Sequence, residues 1–273
     1  MAQPSHTFFL KTGWFIIQVD CTAVPVWLDP LQQRYAHFLT CPPSTPPALH
    51  ISLQPGVPST YPQNKAPDFT PHGVTFAPPG WEGELDFAQK TGWVRPGPNF
   101  FIEETDYFLR VACAIQAFRT EGLLFHAAGI LRGGEGYLFF GHSGAGKTTI
   151  ARLSGERAVM NDDLVLLRPE PGGWVVYGTP FYNPTQVIPS GNFSAPLVQM
   201  LGLVQDQDVY LENASPGHTL AEIVANVPVI STDARCAVEL LTRCQKLIAQ
   251  VPAFRLHFRK DDSFWAVIEN RRG

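Results

Sequence analysis

The chain has 273 residues, of which 45% are hydrophobic, and this is enough to bury one large core or two smaller ones. Its formal net charge of −4, with no long basic run, excludes a general nucleic-acid-binding protein. No apolar run approaches the roughly 18 residues that span a bilayer, and the first residues lack the regions of a signal peptide. The sequence therefore predicts a cytoplasmic protein with neither nucleic acid nor a membrane as a partner. Its five scattered cysteines, without a C-x-x-C pair, are typical of reduced thiols.

The first hundred residues are predicted to form a β-rich, proline-rich N-terminal portion, 1–100. Eleven prolines lie within 42–79, and because proline fixes φ and lacks an N–H donor, long helices and central strands are excluded there. A short helix is predicted at 29–38, with a proline in its first turn. The strands predicted in this portion cover 8–10, 14–17, 48–53, 74–76 and 92–94.

The remaining residues, 101–273, read as an α/β domain. The clearest helix is predicted at 103–121, where apolar residues recur every ~3.6 positions, and Gly122 is expected to end it. Apolar runs at 123–131 and 137–140 flank a glycine-rich stretch and predict an antiparallel hairpin. Beyond it the pattern predicts strands at 158–160, 164–168, 174–177, 199–204 and 254–259, a loop over 178–192, and helices at 149–153, 220–225, 233–250 and 263–270.

The hairpin leads directly into a run that matches G-x-x-x-x-G-K-[ST], the phosphate-binding loop: Gly141-His142-Ser143-Gly144-Ala145-Gly146-Lys147-Thr148. A strand before the loop and a helix after it are the context that such a motif requires. The glycines allow backbone N–H groups to turn towards a triphosphate. Lys147 would reach the β- and γ-phosphates, and Thr148 would offer its hydroxyl to Mg²⁺. The residues expected to bind ATP are Gly141, Ser143, Gly144, Ala145, Gly146, Lys147, Thr148 and Thr149.

An acidic pair, Asp162 and Asp163, follows the predicted strand after the loop helix. Phosphoryl transfer needs charge neutralisation and a group that accepts the proton of the nucleophile. At the end of a strand both carboxylates can border one cleft, one facing a metal ion and one facing an acceptor. His126 lies on the hairpin strand next to the loop strand. By itself the pattern leaves open whether it is a buried core histidine or part of a site.

The order and spacing of Phe125-His126-Ala127-Ala128-Gly129, the loop and Asn161-Asp162-Asp163 resemble the HPr kinase/phosphorylase family. The closer resemblance is to HPr-kinase-like proteins of bacterial gene clusters, and it covers about 105–270. Segments of the same kind are Gly178-Thr179-Pro180, Ser194-Ala195-Pro196-Leu197 and a closing run from Phe254 to Trp265. The E-I-R-G-L-G-type segment of the bifunctional enzymes is not found in this sequence.

This resemblance implies a phosphoenolpyruvate-carboxykinase-like α/β fold, in which a mixed β-sheet carries the phosphate-binding loop and has flanking helices. It also implies ATP and Mg²⁺ as cofactors and transfer of the γ-phosphoryl group to a hydroxyl, usually that of a serine. Carried over by position, Lys147 and Thr148 contact phosphate and metal, and His126 lies near the transferred group. Asp162 and Asp163 supply a metal ligand and a base, with Asp163 preferred as the base.

The sequence thus favours an ATP-dependent kinase whose catalytic residues are Asp163, His126 and Lys147 and whose metal ligands are Thr148 and Asp162. The acceptor is a peptide or protein on this hypothesis. Two alternatives stay open: a small-molecule kinase on the same scaffold, and a nucleotide-binding regulatory or assembly protein that performs no transfer. The oligomeric state also stays open, with a homo-oligomer among the alternatives.

Overall fold

A computed structural model of the chain describes residues 6–58, 66–155, 159–183, 186–189 and 191–271. The described chain is a mixed α/β structure that divides into two compact units, Met1–Gln116 and Ala117–Gly273. The division falls inside a helix. Among the described residues, none of the helices has both the length and the apolar composition needed to cross a membrane.

The elements of the first unit begin with strands and end with the helix that contains the division. The strands are β1 (Thr7–Thr12), β2 (Phe15–Asp20), β3 (Leu39–Thr40), β4 (Leu49–Leu53), β5 (Asp68–Phe69), β6 (Gly73–Phe76), β7 (Glu82–Asp86) and β8 (Thr91–Arg95). The helices are α1 (Leu28–Arg34) and α2 (Phe101–Arg119).

The second unit continues with alternating strands and helices. Its strands are β9 (Leu123–Arg132), β10 (Glu135–Phe140), β11 (Val159–Asn161), β12 (Leu164–Glu170), β13 (Gly173–Tyr177), β14 (Ser194–Gln205), β15 (Tyr210–Asn213) and β16 (Ala253–Phe258). Its helices are α3 (Lys147–Leu153), α4 (Pro216–Ala225), α5 (Ala237–Gln250) and α6 (Phe264–Asn270).

The first unit is built on one mixed sheet, ordered β3-β1-β2-β4-β8-β7-β6-β5 in the described residues. Buried and exposed residues alternate along its strands, so one face of each is available for a core. The strands expected in the N-terminal portion are confirmed, but the expectation that 42–79 holds no central strand is wrong. The strand β4, whose five residues include no proline, pairs with β2 on one edge and with β8 on the other. The helix expected over 29–38 is shorter than predicted, because α1 ends at Arg34 and Ala36–Phe38 forms a 3₁₀ turn. The pattern missed β7, which pairs with β8 and β6 and has Glu82 and Glu84 at its exposed positions.

Helix α2 ends earlier than predicted, and Gly122 is not the residue that reverses the chain. The helix stops at Arg119, and Glu121 takes the left-handed conformation with φ 66°. Gly122 N then donates to Ala117 O at 2.8 Å, the long bond of a Schellman cap. Glycine is the usual residue at the left-handed position, so the sequence pattern pointed one residue too far along the chain.

The second unit contains the predicted hairpin of β9 and β10, whose turn glycines, Gly133 and Gly134, have φ 61° and 82°. Its sheet runs β10-β9-β12-β13-β14-β16-β15 in the described residues, with β11 beside β9. The long strand β14 pairs with β13 near its start and then in parallel with β10 and β16. As a result β10 pairs with β9 along one edge and with β14 along the other. The hydrogen-bonded pairing is closed, because it runs from β10 through β9, β12, β13 and β14 back to β10.

Most predicted elements of this unit are confirmed, with shifted ends. The strand expected at 199–204 begins at Ser194, and the helix expected over 233–250 begins as a 3₁₀ turn before α5. Ala158, assigned to a strand, lies outside the described residues, and β11 covers Val159–Asn161. The polar edge strand β15 was not predicted.

The core of the second unit lies directly beneath the glycine-rich loop. Ile150 and Ala151 of α3 are buried against Phe139 of β10 and Phe258 of β16. Helix α6 covers the same layer with buried aromatic side chains, including Trp265, whose ring lies 5.7 Å from that of Phe139. Each fully buried aromatic side chain contributes about 1.5–3 kcal/mol. The loop therefore stands on a well-packed base.

Candidate active site

Strand β9 lies between the loop and the acidic pair, and its hydrogen-bonding register brings the two together. On one edge, Phe140 at the end of β10 pairs with Ala127 of β9, so the loop begins beside this point. On the other edge, the partner of β9 changes from β11 to β12. The residues between those two strands are Asp162 and Asp163, so both sequence motifs meet at the middle of β9.

The loop has the backbone conformation that its glycines permit. Gly144 and Gly146 have φ 82° and 114°, and Gly141 has φ 152°. A Cβ at Gly144 would meet no atom within 4 Å, because this residue faces open space. A Cβ at Gly146 would lie 2.6 Å from Cζ of Phe258, so the loop rests against the core at that position. Position 146 therefore requires glycine, both because of its positive φ and because a Cβ would collide with Phe258.

Lys147 is nearly buried, and its ammonium group lies over the loop. Nζ donates to the carbonyl oxygens of Gly141 at 2.9 Å and of His142 at 3.4 Å. Burial lowers the pKa of the Lys147 amine, and the neighbouring carboxylates of Asp163 and Asp162 oppose that shift. The cation is thus held against the loop by two of its carbonyl oxygens.

Asp162 is almost completely buried, with 1% of its surface exposed. Its Oδ2 accepts from Val187 N at 3.3 Å, whereas Oδ1 has no hydrogen-bond partner among the described residues. Burial raises the pKa of this carboxyl group, while hydrogen bonding from Thr148 and Val187 partly offsets the rise. A buried carboxylate oxygen without a partner is costly, and it fits a site that is completed by a cation.

Asp163 and His126 are directly paired. Nε2 of His126 lies 2.9 Å from Oδ1 of Asp163. The register explains the contact, because His126 on β9 is opposite Leu164 on β12, the residue after Asp163. The histidine side chain is about one third exposed and the carboxylate is mostly buried. The pair therefore presents a carboxylate of fixed orientation to the same cleft as the loop.

A buried polar network, which the sequence reasoning missed, fixes the turn that carries both aspartates. Oδ1 of Asn161 accepts from the backbone N–H groups of Asp163 and Leu164 at 2.7 and 2.8 Å. Its Nδ2 donates to Thr179 O at 3.0 Å and to Phe181 O at 2.7 Å. The Thr179 hydroxyl in turn donates to Leu164 O at 2.6 Å. The signal in the sequence was an asparagine directly before the acidic pair. Its partners Thr179 and Phe181 could not be identified from the local pattern, because they lie 18 and 20 residues further along the chain.

Further polar residues line the cleft beside the loop, which encloses about 340 Å³. The lining includes the predicted Ser143, Lys147, Thr148, Thr149, Asp162 and Asp163, and also Gln186, Gln205 and Lys260. Gln205 Nε2 donates to Gly144 O at 2.7 Å and supports the loop. Lys260, two residues after the end of β16, also borders the cleft. Of the other predicted residues, Gly141 and Ala145 belong to the loop but face a neighbouring cavity.

The donor set near the loop suits Mg²⁺ shared with a phosphate group. Within the described residues, no cluster of three or more His, Cys, Asp or Glu side chains is arranged to hold a metal ion alone. Mg²⁺ in phosphoryl-transfer sites typically binds through one or two protein oxygens together with phosphate and water. The unpartnered Oδ1 of Asp162 and the nearby hydroxyl of Thr148 fit that requirement.

Comparison with known proteins adds no assignment. No protein-family model matches this sequence, and no curated protein matches it significantly. What this site does therefore has to be inferred from its own residues.

Proposed function

We propose that this protein is an ATP- and Mg²⁺-dependent kinase that transfers the γ-phosphoryl group to a hydroxyl of a peptide or protein. The observation that carries the proposal is the convergence of three groups on one cleft. They are the loop with Lys147, the buried Asp162 with an unpartnered oxygen, and Asp163 held by His126. A protein that only bound a nucleotide would have no use for an oriented second carboxylate.

The finer fold assignment is part of the same proposal. We infer a phosphoenolpyruvate-carboxykinase-like fold for the second unit, with the loop as its phosphate site. Its support is that an antiparallel hairpin, β9 and β10, leads into the loop, while β10 also pairs in parallel with β14. The support from sequence is the resemblance to the HPr kinase/phosphorylase family over the three motifs.

The residues have separable roles in the proposed reaction. Lys147 would offset the charge of the β- and γ-phosphates, and Asp163 would accept the proton of the acceptor hydroxyl. The acceptor oxygen then forms a bond to the γ-phosphorus as the bond from that phosphorus to the β,γ-bridging oxygen breaks, and ADP leaves. His126 would orient the Asp163 carboxylate through the 2.9 Å contact. Thr148 and Asp162 would hold Mg²⁺, whose contribution when bound would be to offset phosphate charge.

The test uses γ-labelled ATP and Mg²⁺ with the purified full-length protein in a lysate of the source organism, and products are separated by size. We expect label on a peptide or protein. Asp163→Asn should reduce transfer by about 10²–10⁴-fold, the usual contribution of a general base. It should leave the thermal stabilisation by Mg²⁺·ATP intact.

The other outcomes decide between the alternatives. Label in a small metabolite, lost in Asp163→Asn, would assign a small-molecule kinase on the same site. Stabilisation by ATP without any transfer would assign a nucleotide-binding regulatory protein and refute the proposal. Equal transfer by wild type and Asp163→Asn would remove Asp163 from the role of base.

A further inference from the structure

A second and larger cavity adjoins the cleft on the other side of the loop. It encloses about 860 Å³ and shares His126 and Gln205 with the cleft. Its loop residues are Gly141, His142 and Ala145, whereas Thr148 and Thr149 face the cleft. In a loop of this type the backbone amides cradle the α- and β-phosphates and the lysine reaches the β- and γ-phosphates. Lys147 itself lines the cleft, but its Nζ lies 2.9 Å from Gly141 O and 3.4 Å from His142 O, and both of these residues line the larger cavity. The larger cavity therefore lies towards the γ-phosphate end, where an acceptor has to approach.

One wall of this cavity carries an arginine with unused hydrogen-bond donors. Arg255 of β16 is about two thirds buried, and its Nη2 makes two long contacts of 3.4 Å, to Glu222 Oε1 and to His218 Nε2. Among the described residues, its Nε and Nη1 groups make no hydrogen bond. A guanidinium in a half-enclosed site with donors to spare matches a planar anion.

The neighbouring residues favour a carboxylate over a phosphate group. Glu222 lies against the same guanidinium, so a doubly charged phosphate would be repelled more strongly than a singly charged carboxylate. The floor of the cavity is apolar, with Phe140 and Leu203 among its residues. Gly202 leaves the floor open, because a Cβ there would reach only ordinary contact, 3.5 Å from Phe140 and 3.7 Å from Glu222 Oε2.

We propose that the larger cavity binds the phosphate acceptor and that Arg255 recognises a carboxylate group that the acceptor carries beside its hydroxyl. The inference rests on the proposed kinase activity and names the acceptor's chemistry. The carboxylate belongs either to an acidic or terminal residue of a peptide or to a small hydroxy acid. The hydroxyl reaches Asp163 past His126, which borders both cavities.

The test compares wild type with Arg255→Gln and Gly202→Ala, using the acceptor fraction that wild type labels from γ-labelled ATP. Arg132→Gln is the matched control, because Arg132 is exposed, is paired with Glu269 at 2.5 Å and lines neither cavity. Arg255→Gln should raise the KM for this fraction about 10- to 100-fold, the usual effect of losing a charged hydrogen bond. The thermal shift with Mg²⁺·ATP should not change. Gly202→Ala, which adds one methyl group to the floor, should raise the same KM without changing the ATP response.

A chemical change to the acceptor tests the carboxylate directly, because amidation of carboxylates in the fraction should lower labelling by wild type. Amidation should not reduce labelling by Arg255→Gln further, and separation by size assigns the carboxylate to a peptide or a small acid.

Two results would overturn this inference and leave the proposed kinase activity standing. One is unchanged wild-type labelling after amidation, and the other is an unchanged KM in Arg255→Gln and Gly202→Ala. Loss of the ATP thermal shift in either cavity variant would assign the cavity to the nucleoside and also overturn it. Absence of any transfer by wild type would instead refute the kinase, and the inference with it.

Discussion

Replacing Asp162 by asparagine is expected to stabilise the free protein while it abolishes metal-dependent nucleotide binding. The folded state holds this carboxylate with 1% exposure and with an Oδ1 that has no partner among the described residues. An unsatisfied buried polar group costs about 1–3 kcal/mol. Asparagine removes the buried charge and keeps an oxygen that accepts from Val187 N, but its Nδ2 then takes the place of the unpartnered Oδ1, so only part of that cost is recovered. We therefore expect a gain of about 1 kcal/mol, or about 2–4 °C in melting temperature for a chain of this size.

The pH dependence of this gain has a defined sign. Burial raises the pKa of Asp162 in the folded protein, so the folded state holds the proton more tightly than the unfolded state. Wild type should lose stability as the pH rises from the ordinary carboxyl range through the raised folded pKa. The variant cannot lose it. The difference in melting temperature between wild type and Asp162→Asn should thus be absent at acidic pH. It should be complete at about pH 7.5, which is well above the ordinary carboxyl range.

Mg²⁺·ATP should reverse the order of the two proteins. A ligand at 100 times its Kd adds about 2.7 kcal/mol to the stability of a protein that binds it only when folded. Wild type should gain this and Asp162→Asn should not, as measured by thermal unfolding with and without the ligand. The reasoning is refuted if the variant is less stable at neutral pH without ligand, or if both proteins gain equally from Mg²⁺·ATP.

Asp206→Asn is a matched control with the opposite expectation. Asp206 lies outside the cleft, and a hydrogen bond from His257, 2.8 Å away, lowers the pKa of its carboxyl group. Its contribution to stability is present above the ordinary carboxyl pKa and is lost as the pH falls through the lowered folded value. This variant should be less stable than wild type at neutral pH, with an unchanged response to Mg²⁺·ATP.

Three further predictions concern the loop and the paired histidine. Lys147→Ala should lose the thermal shift with Mg²⁺·ATP, and an equal shift in wild type and variant would remove the loop from the proposal. Gly146→Ala should destabilise the protein by about 1–3 kcal/mol in chemical unfolding, because its Cβ would lie 2.6 Å from Phe258 at φ 114°. Gly172→Ala, whose Cβ would meet nothing within 4 Å, should be neutral, and equal effects of the two changes would contradict the packing argument. His126→Gln should lower kcat about tenfold or more while the nucleotide Kd stays the same, and a change confined to the Kd would exclude an orienting role.

The parts of the site that could be predicted are those that local chemistry requires. The glycines and the lysine of 141–148 have a fixed spacing, so the loop itself could be predicted from the sequence, and Gly141, Gly144 and Gly146 do take the positive φ that only glycine adopts readily. The acidic pair could be recognised because it lies between two apolar runs, which the structure shows as β11 and β12. The hairpin before the loop could be predicted because two apolar runs flank glycines that accept positive φ.

The parts that could not be predicted depend on pairing between remote strands. Asn161 acquires its role only when residues 179–181 are folded against it, and nothing in the local pattern reveals those partners. Arg255 reads as an exposed position of a half-buried strand, although it lines a cavity with Glu222 of α4. The end of α2 was misplaced because the left-handed residue is a glutamate, which the usual preference for glycine does not anticipate.

The pairing of β10 along both edges has a consequence for where the protein can move. Its neighbours are β9 on one side and β14 on the other, so β10 cannot fray without breaking two rows of hydrogen bonds. In native-state amide hydrogen exchange, its N–H groups should exchange only through global opening of the unit, whereas those of the edge strand β15 should exchange through local opening. A structural adjustment at the loop, such as the one expected if the proposed triphosphate binds, should therefore be confined to the residues that follow Phe140, while β10 keeps its hydrogen bonds.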